Sequence, residues 1–182
     1  LCNINCDEGE GVSDTVYCDH INKVYNILQK YDKKVMMWGD VVAKNPKMVK
    51  MLPDDMIFIA WSYVGFADYE MLLKPFMESK HEFWVAPGAS CWNTCCPDVR
   101  NYIKNIANLS RDAYRFGATG VMNTAWDDCG ESLFSSVWHS MAWCAETSWN
   151  TINGKNPDKR ERDFNKNYKT KEIRKNSKCL CR

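Results

Sequence analysis

The sequence predicts an α/β fold, a parallel sheet covered by helices, in the form of part of a (β/α)8 TIM barrel: about strands four to eight with their helices. Three observations predict it. Short apolar segments alternate with longer amphipathic ones along 182 residues, the rhythm of a parallel sheet buried on both faces. Each apolar segment closes on, or shortly before, a carboxylate, an indole or a phenol. The five closures are too few for a closed barrel, which takes eight strands and about 250 residues.

The first apolar segment is residues 1–6, a stub that runs into Asp7-Glu8 and the turn Gly9-Glu10-Gly11. Residues 14–31 read as a helix, because Tyr17, Ile21, Val24, Leu28 and Tyr31 recur at helical spacing. Ser13 or Asp14 can cap its start. Residues 34–38 form a buried strand ending at Trp38-Gly39-Asp40, and Pro46 opens a short helix over 46–51. Residues 56–61 are the next strand, ending at Trp61-Ser62-Tyr63. A helix over 68–79 leads to a strand at 82–86, broken by Pro87-Gly88 and followed by Ser90-Cys91-Trp92. The helix over 98–116 puts Tyr102, Ile106, Leu109 and Ala113 on one face, with Gly117 as its C-cap. Residues 120–124 are the last strand, leading into Trp126-Asp127-Asp128. The last amphipathic helix, 133–147, carries Phe134, Val137, Trp138, Met141 and Ala145 as its apolar stripe.

Composition bounds the partners. Hydrophobic residues make up 45% of the chain and aromatics 13%, enough for a packed core, and the formal charge is +1. A near-neutral chain carries no electrostatic case for nucleic acid or an anionic membrane surface, and no apolar run approaches the ~18 residues of a membrane span. Of the ten cysteines, only Cys91, Cys95 and Cys96 cluster. Nothing pairs with them at the spacing of a zinc site, so no metal and no cofactor is expected. Cellular compartment stays open. Residues 1–150 read as one catalytic unit, and the lysine- and arginine-rich stretch 151–182 as a basic C-terminal helix or tail. On this reading the N-terminal half of the barrel lies on another piece of chain and is required for activity.

The closures define the chemistry. Adjacent carboxylates at the end of a strand can reach one cleft in different environments, and different environments separate two pKa values. Aromatic faces, rich in π density, stack on the C–H faces of sugar rings; carboxylates bind hydroxyls and protonate glycosidic oxygens. Tryptophan, tyrosine and Asp/Glu together therefore favour a carbohydrate over a nucleotide or acyl substrate. Phosphate-binding glycine motifs and the G-x-S-x-G elbow are absent. His20, His81 and His139 all fall outside the strand ends.

Asn3-Ile4-Asn5-Cys6-Asp7-Glu8 resembles the Asp-Glu motif of glycoside hydrolase family 20, the β-N-acetylhexosaminidases, in which the pair ends the fourth strand of a (β/α)8 barrel. Val35–Asp40, Ala60–Tyr63, Pro87–Asn93 and Asn123–Asp128 resemble that family's later strand ends in order. The likeness covers about residues 1–150. It implies a retaining, substrate-assisted release of N-acetylhexosamine (GlcNAc or GalNAc), one of the exceptions to the two-carboxylate scheme. Glu8 matches the general acid, and Asp7 the aspartate that orients the acetamido group. Trp38, Trp61 and Trp126 match the tryptophans walling the sugar, and Asp128 matches an acid on its hydroxyls. Tyr63 is the candidate phenol on the acetamido oxygen, and Trp92 stands in a loop that sometimes supplies that contact. The chain departs from the family pattern at Asn5, where glycine is usual, at Ala125, where aspartate is frequent, and at Cys129-Gly130. The alternatives are a catalytically impaired carbohydrate-binding relative on the same scaffold, or a retaining glycosidase of another specificity.

Overall fold

The computed structural model describes residues 1–4, 11–149, 162–164 and 166. Strands β1 (Cys2–Ile4), β2 (Val35–Trp38), β3 (Ile57–Trp61), β4 (Phe83–Ala86) and β5 (Gly120–Val121) form one sheet in the order β1-β2-β3-β4-β5. Its strands run parallel, as in the ladders Cys2–Val35, Asn3–Met36, Ile4–Met37 and Met36–Ile57, Met37–Phe58, Trp38–Ile59. The amides of Cys2, Phe58 and Thr119 donate to the carbonyls of Lys34, Glu82 and Phe83, extending the pairing at 2.8, 3.0 and 3.0 Å. The expected α/β class and parallel sheet are therefore present. All four residues of β2 are buried, which is what an unbroken Val-Met-Met-Trp run requires of a strand covered on both faces.

The fold divides into two compact units. The first comprises Leu1–Trp61, Glu70–Val85 and Phe116–Gly120 and carries the sheet, up to the last residues of β4 and β5. It also carries α1 (Asp14–Gln29), α2 (Asp40–Lys44), a 3-10 helix at Pro46–Met51 and α3 (Glu70–Ser79). Ser13 caps α1 by accepting from the Val16 amide. Met37, Phe58, Leu73 and Phe76 are fully buried, with the Phe58 ring of β3 6.1 Å from the Phe76 ring of α3. The stripe expected on α1 is shorter than its spacing suggests: Tyr17 and Ile21 are buried, but Tyr31 lies beyond the helix and is 68% exposed.

The second unit comprises Ser62–Tyr69, Ala86–Arg115 and the chain from Val121 onward. It holds α4 (Val99–Arg115) and α5 (Trp138–Trp149). Asp98 caps α4: its carboxylate accepts from the Asn101 amide at 3.1 Å. Gly117 follows the helix with φ +83°, the left-handed cap expected of it. Tyr102, Ile103 and Ile106 pack with Trp143, Cys144 and Phe164 as this unit's core. The Trp143 indole donates to the Ile103 carbonyl at 3.1 Å and fixes α5 on α4.

Two expectations fail here. The last strand is shorter than residues 120–124: its ladder stops at Val121, and Thr124 makes only an isolated bridge to Gly88. The apolar stripe predicted for the last helix is misplaced. A 3-10 helix at Phe134–Val137 precedes α5, and Phe134 and Trp138 are 65% and 51% exposed. The buried face is Ser140, Trp143, Cys144 and Thr147 instead. Among the described residues, no helix is long and apolar enough to cross a membrane.

Candidate functional site

Asp7 and Glu8 lie outside the described residues. The remaining candidates divide between the two units.

In the first unit Trp38 ends β2 and Trp61 ends β3. Trp38 stands in register with Ile59. Side chains alternate along a strand, so Trp38, Ile59 and Trp61 project from the same face of the sheet. Trp38 is 4% exposed, and Trp61 is half-buried. Behind Trp38 the chain turns at Gly39, whose amide donates to the Ile59 carbonyl at 2.9 Å. A Cβ at Gly39 would stand 2.6 Å from the Phe76 ring, so only glycine fits this turn.

In the second unit Tyr63, Trp92 and Trp126 come together. The Trp126 indole N–H donates to the Tyr63 phenol oxygen at 2.7 Å, and the Tyr63 and Trp92 rings lie 5.0 Å apart at 52°. Neither Trp92 nor Trp126 is itself a strand end, since β4 closes at Ala86 and β5 at Val121. Each is carried on the loop that follows. The Trp92 loop is strained: Ser90 and Asn93 hold φ of +52° and +54°, a conformation that costs non-glycine residues about 1–3 kcal/mol each. The Trp126 loop is tied to it twice. The Cys91 thiol donates to the Trp126 carbonyl at 3.0 Å, and the Cys129 thiol to the Asn93 side-chain oxygen at 2.8 Å. Burial, and then the nearby charge of Asp127, push the Cys91 thiol above its ordinary pKa, so Cys91 is a protonated donor rather than a nucleophile. Asp127 is exposed and accepts from the Ser132 amide at 3.2 Å. Asp128 is exposed.

Behind Tyr63 stands a row of amides that hydrophobic periodicity does not reveal. Asn101, Asn105 and Asn108 lie on one face of α4. Their NH2 groups donate to the carbonyls of Tyr63, Ser62 and Phe66 respectively. The recurrence of asparagine at four- and three-residue steps is the signal that could have found them.

No three His, Cys, Asp or Glu side chains are arranged to hold a metal ion among the described residues. The His81 ring is held between the carbonyls of Ser79 and Pro53, each 3.2 Å away, and the Tyr102 hydroxyl lies 2.8 Å from Nδ1 of His139. Both histidines are therefore engaged in packing contacts.

No protein-family model matches this chain, and no curated protein matches it. Among solved structures it is similar to dispersin B, with a TM-score of 0.40 and 16% identity over 71% of this chain and 45% of that one. The chain thus spans less than half the length of that structure.

Proposed function

We propose that this chain is the C-terminal half of a (β/α)8 glycoside hydrolase barrel that releases N-acetylhexosamine by a retaining, substrate-assisted mechanism. The reading rests on the Asp7-Glu8 motif and the ordered motifs after it. The observation that carries it furthest is the Tyr63–Trp126 hydrogen bond with Trp92 against the same phenol. Three aromatic side chains singled out by their sequence motifs converge across 63 positions of chain. Together they offer what a sugar needs, a ring face to stack on and polar edges to orient it.

In this mechanism the substrate's 2-acetamido oxygen attacks the anomeric carbon as the glycosidic bond breaks, giving an oxazolinium intermediate. Glu8 protonates the departing oxygen. It then takes a proton from the water that reopens the intermediate, so the acid is regenerated. Asp7 stays ionised, orients the acetamido N–H and balances the developing positive charge. Trp38, Trp61 and Trp126 wall the sugar, Tyr63 or Trp92 contacts the acetamido group, and Asp128 binds hydroxyls. A preorganised electrostatic group of this kind contributes about 3–4 kcal/mol to lowering the barrier.

The test is hydrolysis of a chromogenic N-acetyl-β-glucosaminide by the full-length gene product. Asp7→Asn and Glu8→Gln should each lower kcat by about 10²–10³-fold, with Asp7→Asn sparing binding more. Unchanged turnover in either variant overturns the assignment. Sugar binding without release identifies a non-catalytic relative, and hydrolysis of glycosides lacking the acetamido group identifies a glycosidase of another specificity.

A further inference from the structure

The segment carrying Tyr63 has almost no regular structure of its own. Residues 62–69 leave β3 as an irregular loop, and such a segment must find partners for its backbone polar groups. It finds them on α4. Asn101 donates to the Tyr63 carbonyl and to the Ser90 hydroxyl, and accepts from the Gly65 amide at 2.7 Å. Asn105 is fully buried, and its two N–H groups are shared among the Ser62 and Val64 carbonyls and the Tyr69 hydroxyl, at 2.7, 3.2 and 2.9 Å. Its own oxygen accepts from the Gly88 amide at 3.0 Å. The loop also approaches the helix backbone closely: a Cβ at Gly65 would stand 3.0 Å from the Asn101 carbonyl oxygen.

An asparagine amide suits this position because it presents donors and an acceptor from one rigid plane. Each side chain therefore grips two segments at once. Asn101 joins the Tyr63 segment to Ser90, at the start of the Trp92 loop. Asn105 joins it to Gly88, beside the Tyr63 ring. Buried polar networks in which every partner is satisfied fix a single arrangement.

We propose that Asn101 and Asn105 are positioning residues, which hold the 62–66 backbone against α4 so that the Tyr63 phenol meets the Trp126 indole beside Trp92. Their consequence for turnover rests on the carbohydrate reading above, whereas their effect on the Tyr63–Trp126 pair does not.

The experiment reads that pair directly, by the indole N–H resonances in ¹H–¹⁵N spectra of the full-length gene product. Trp126→Phe and Trp143→Phe assign the two signals that matter. Tyr63→Phe removes the acceptor and sets the reference displacement of the Trp126 signal. Asn101→Asp keeps the acceptor for Gly65 and loses the donors. It should move the Trp126 signal in the direction set by Tyr63→Phe and leave that of buried Trp143 in place. A Trp126 signal that stays put, or Trp126 and Trp143 signals that move together, overturns the proposal, the latter because it marks general loosening. If Asn101→Asp does not fold, Asn101→Ala is read by the same two signals, and failure of both variants to fold also counts against a positioning role.

Turnover gives the second readout. With an N-acetylglucosaminide, Asn101→Asp should lower kcat/KM by about five- to tenfold, the scale of the single Tyr63–Trp126 hydrogen bond that it disturbs. In a Tyr63→Phe background the same change should cost less than about twofold, the non-additivity expected when one residue acts through another. Additive losses overturn the proposal. The expected indole displacement in a protein with no glycosidase activity upholds the positioning role and removes the hydrolase reading.

Discussion

At Gly88 the missing side chain is what gives the Tyr63 ring its room. A Cβ there would stand 2.6 Å from Tyr63 Cδ1 and 3.1 Å from the Thr124 hydroxyl. Thr124 cannot retreat easily, because its amide and hydroxyl both donate to the Pro87 carbonyl, at 2.9 and 3.0 Å. The ring must yield, and the phenol moves with it. Gly88→Ala should therefore destabilise the protein by about 1–3 kcal/mol, the usual cost of overpacking. It should also displace the Trp126 indole, whose partner is that phenol. A urea titration measures the first effect and tryptophan fluorescence the second. A variant as stable as wild type with an unchanged emission spectrum would show that the ring has space in reserve.

At the scale of single elements, α4 does two jobs with two kinds of side chain. Its apolar residues make the core with α5, while its buried polar residues hold the 62–69 loop. Asp112 ends the polar row. It is fully buried, accepts from the Tyr69 amide at 2.9 Å and is paired with Arg111 at 2.8 Å. Asp112→Ala leaves that amide without its acceptor and the guanidinium without its counter-charge. The expected loss is about 3 kcal/mol, at the low end for breaking a buried pair because Arg111 is partly solvated. A shift of the urea midpoint without a change in slope measures it. Periodicity made the apolar face of α4 legible, with Tyr102, Ile106, Leu109 and Ala113 all buried. It failed on α5 for a physical reason. The buried face there includes Ser140 and Thr147, whose hydroxyls donate to the Val137 and Trp143 carbonyls at 2.8 and 2.9 Å. Satisfied in this way, they bury as readily as apolar groups, but a hydrophobic count misses them. The 3-10 turn ahead of α5, with three residues per turn, adds a second error by shifting the phase of the stripe.

For the whole molecule, strand order was legible, because short strands joined through helices favour adjacent parallel pairing. The convergence of Tyr63 with Trp126 was legible only as matching motifs. The asparagines that support it show in the sequence only as a recurrence at helical spacing, and a helical wheel does not separate a buried amide from a solvated one. One acid-sensitive contribution to stability likewise comes from a cluster that only the structure assembles. Glu82, just before β4, accepts from Lys34 just before β2 and from Thr119 just before β5. The Lys34 ammonium first, then the Thr119 hydroxyl, hold its carboxyl below the ordinary carboxylate pKa. The folded value is the lower one, so ionised Glu82 contributes stability above the unfolded value of about 4.3. That contribution fades as pH falls through the folded value. Lys34 and Glu82 are 49% and 32% exposed, so solvent and salt screen the pair and keep its contribution small. Glu82→Gln should accordingly lower the urea midpoint modestly at pH 7 and low salt. The deficit should shrink at high ionic strength, and it should vanish at a pH below the folded value, where wild type has lost the same charge. A deficit that persists undiminished in acid would assign the loss to the Thr119 hydrogen bond, and to the one that the Trp84 indole donates to Glu82 at 3.4 Å, rather than to the charge.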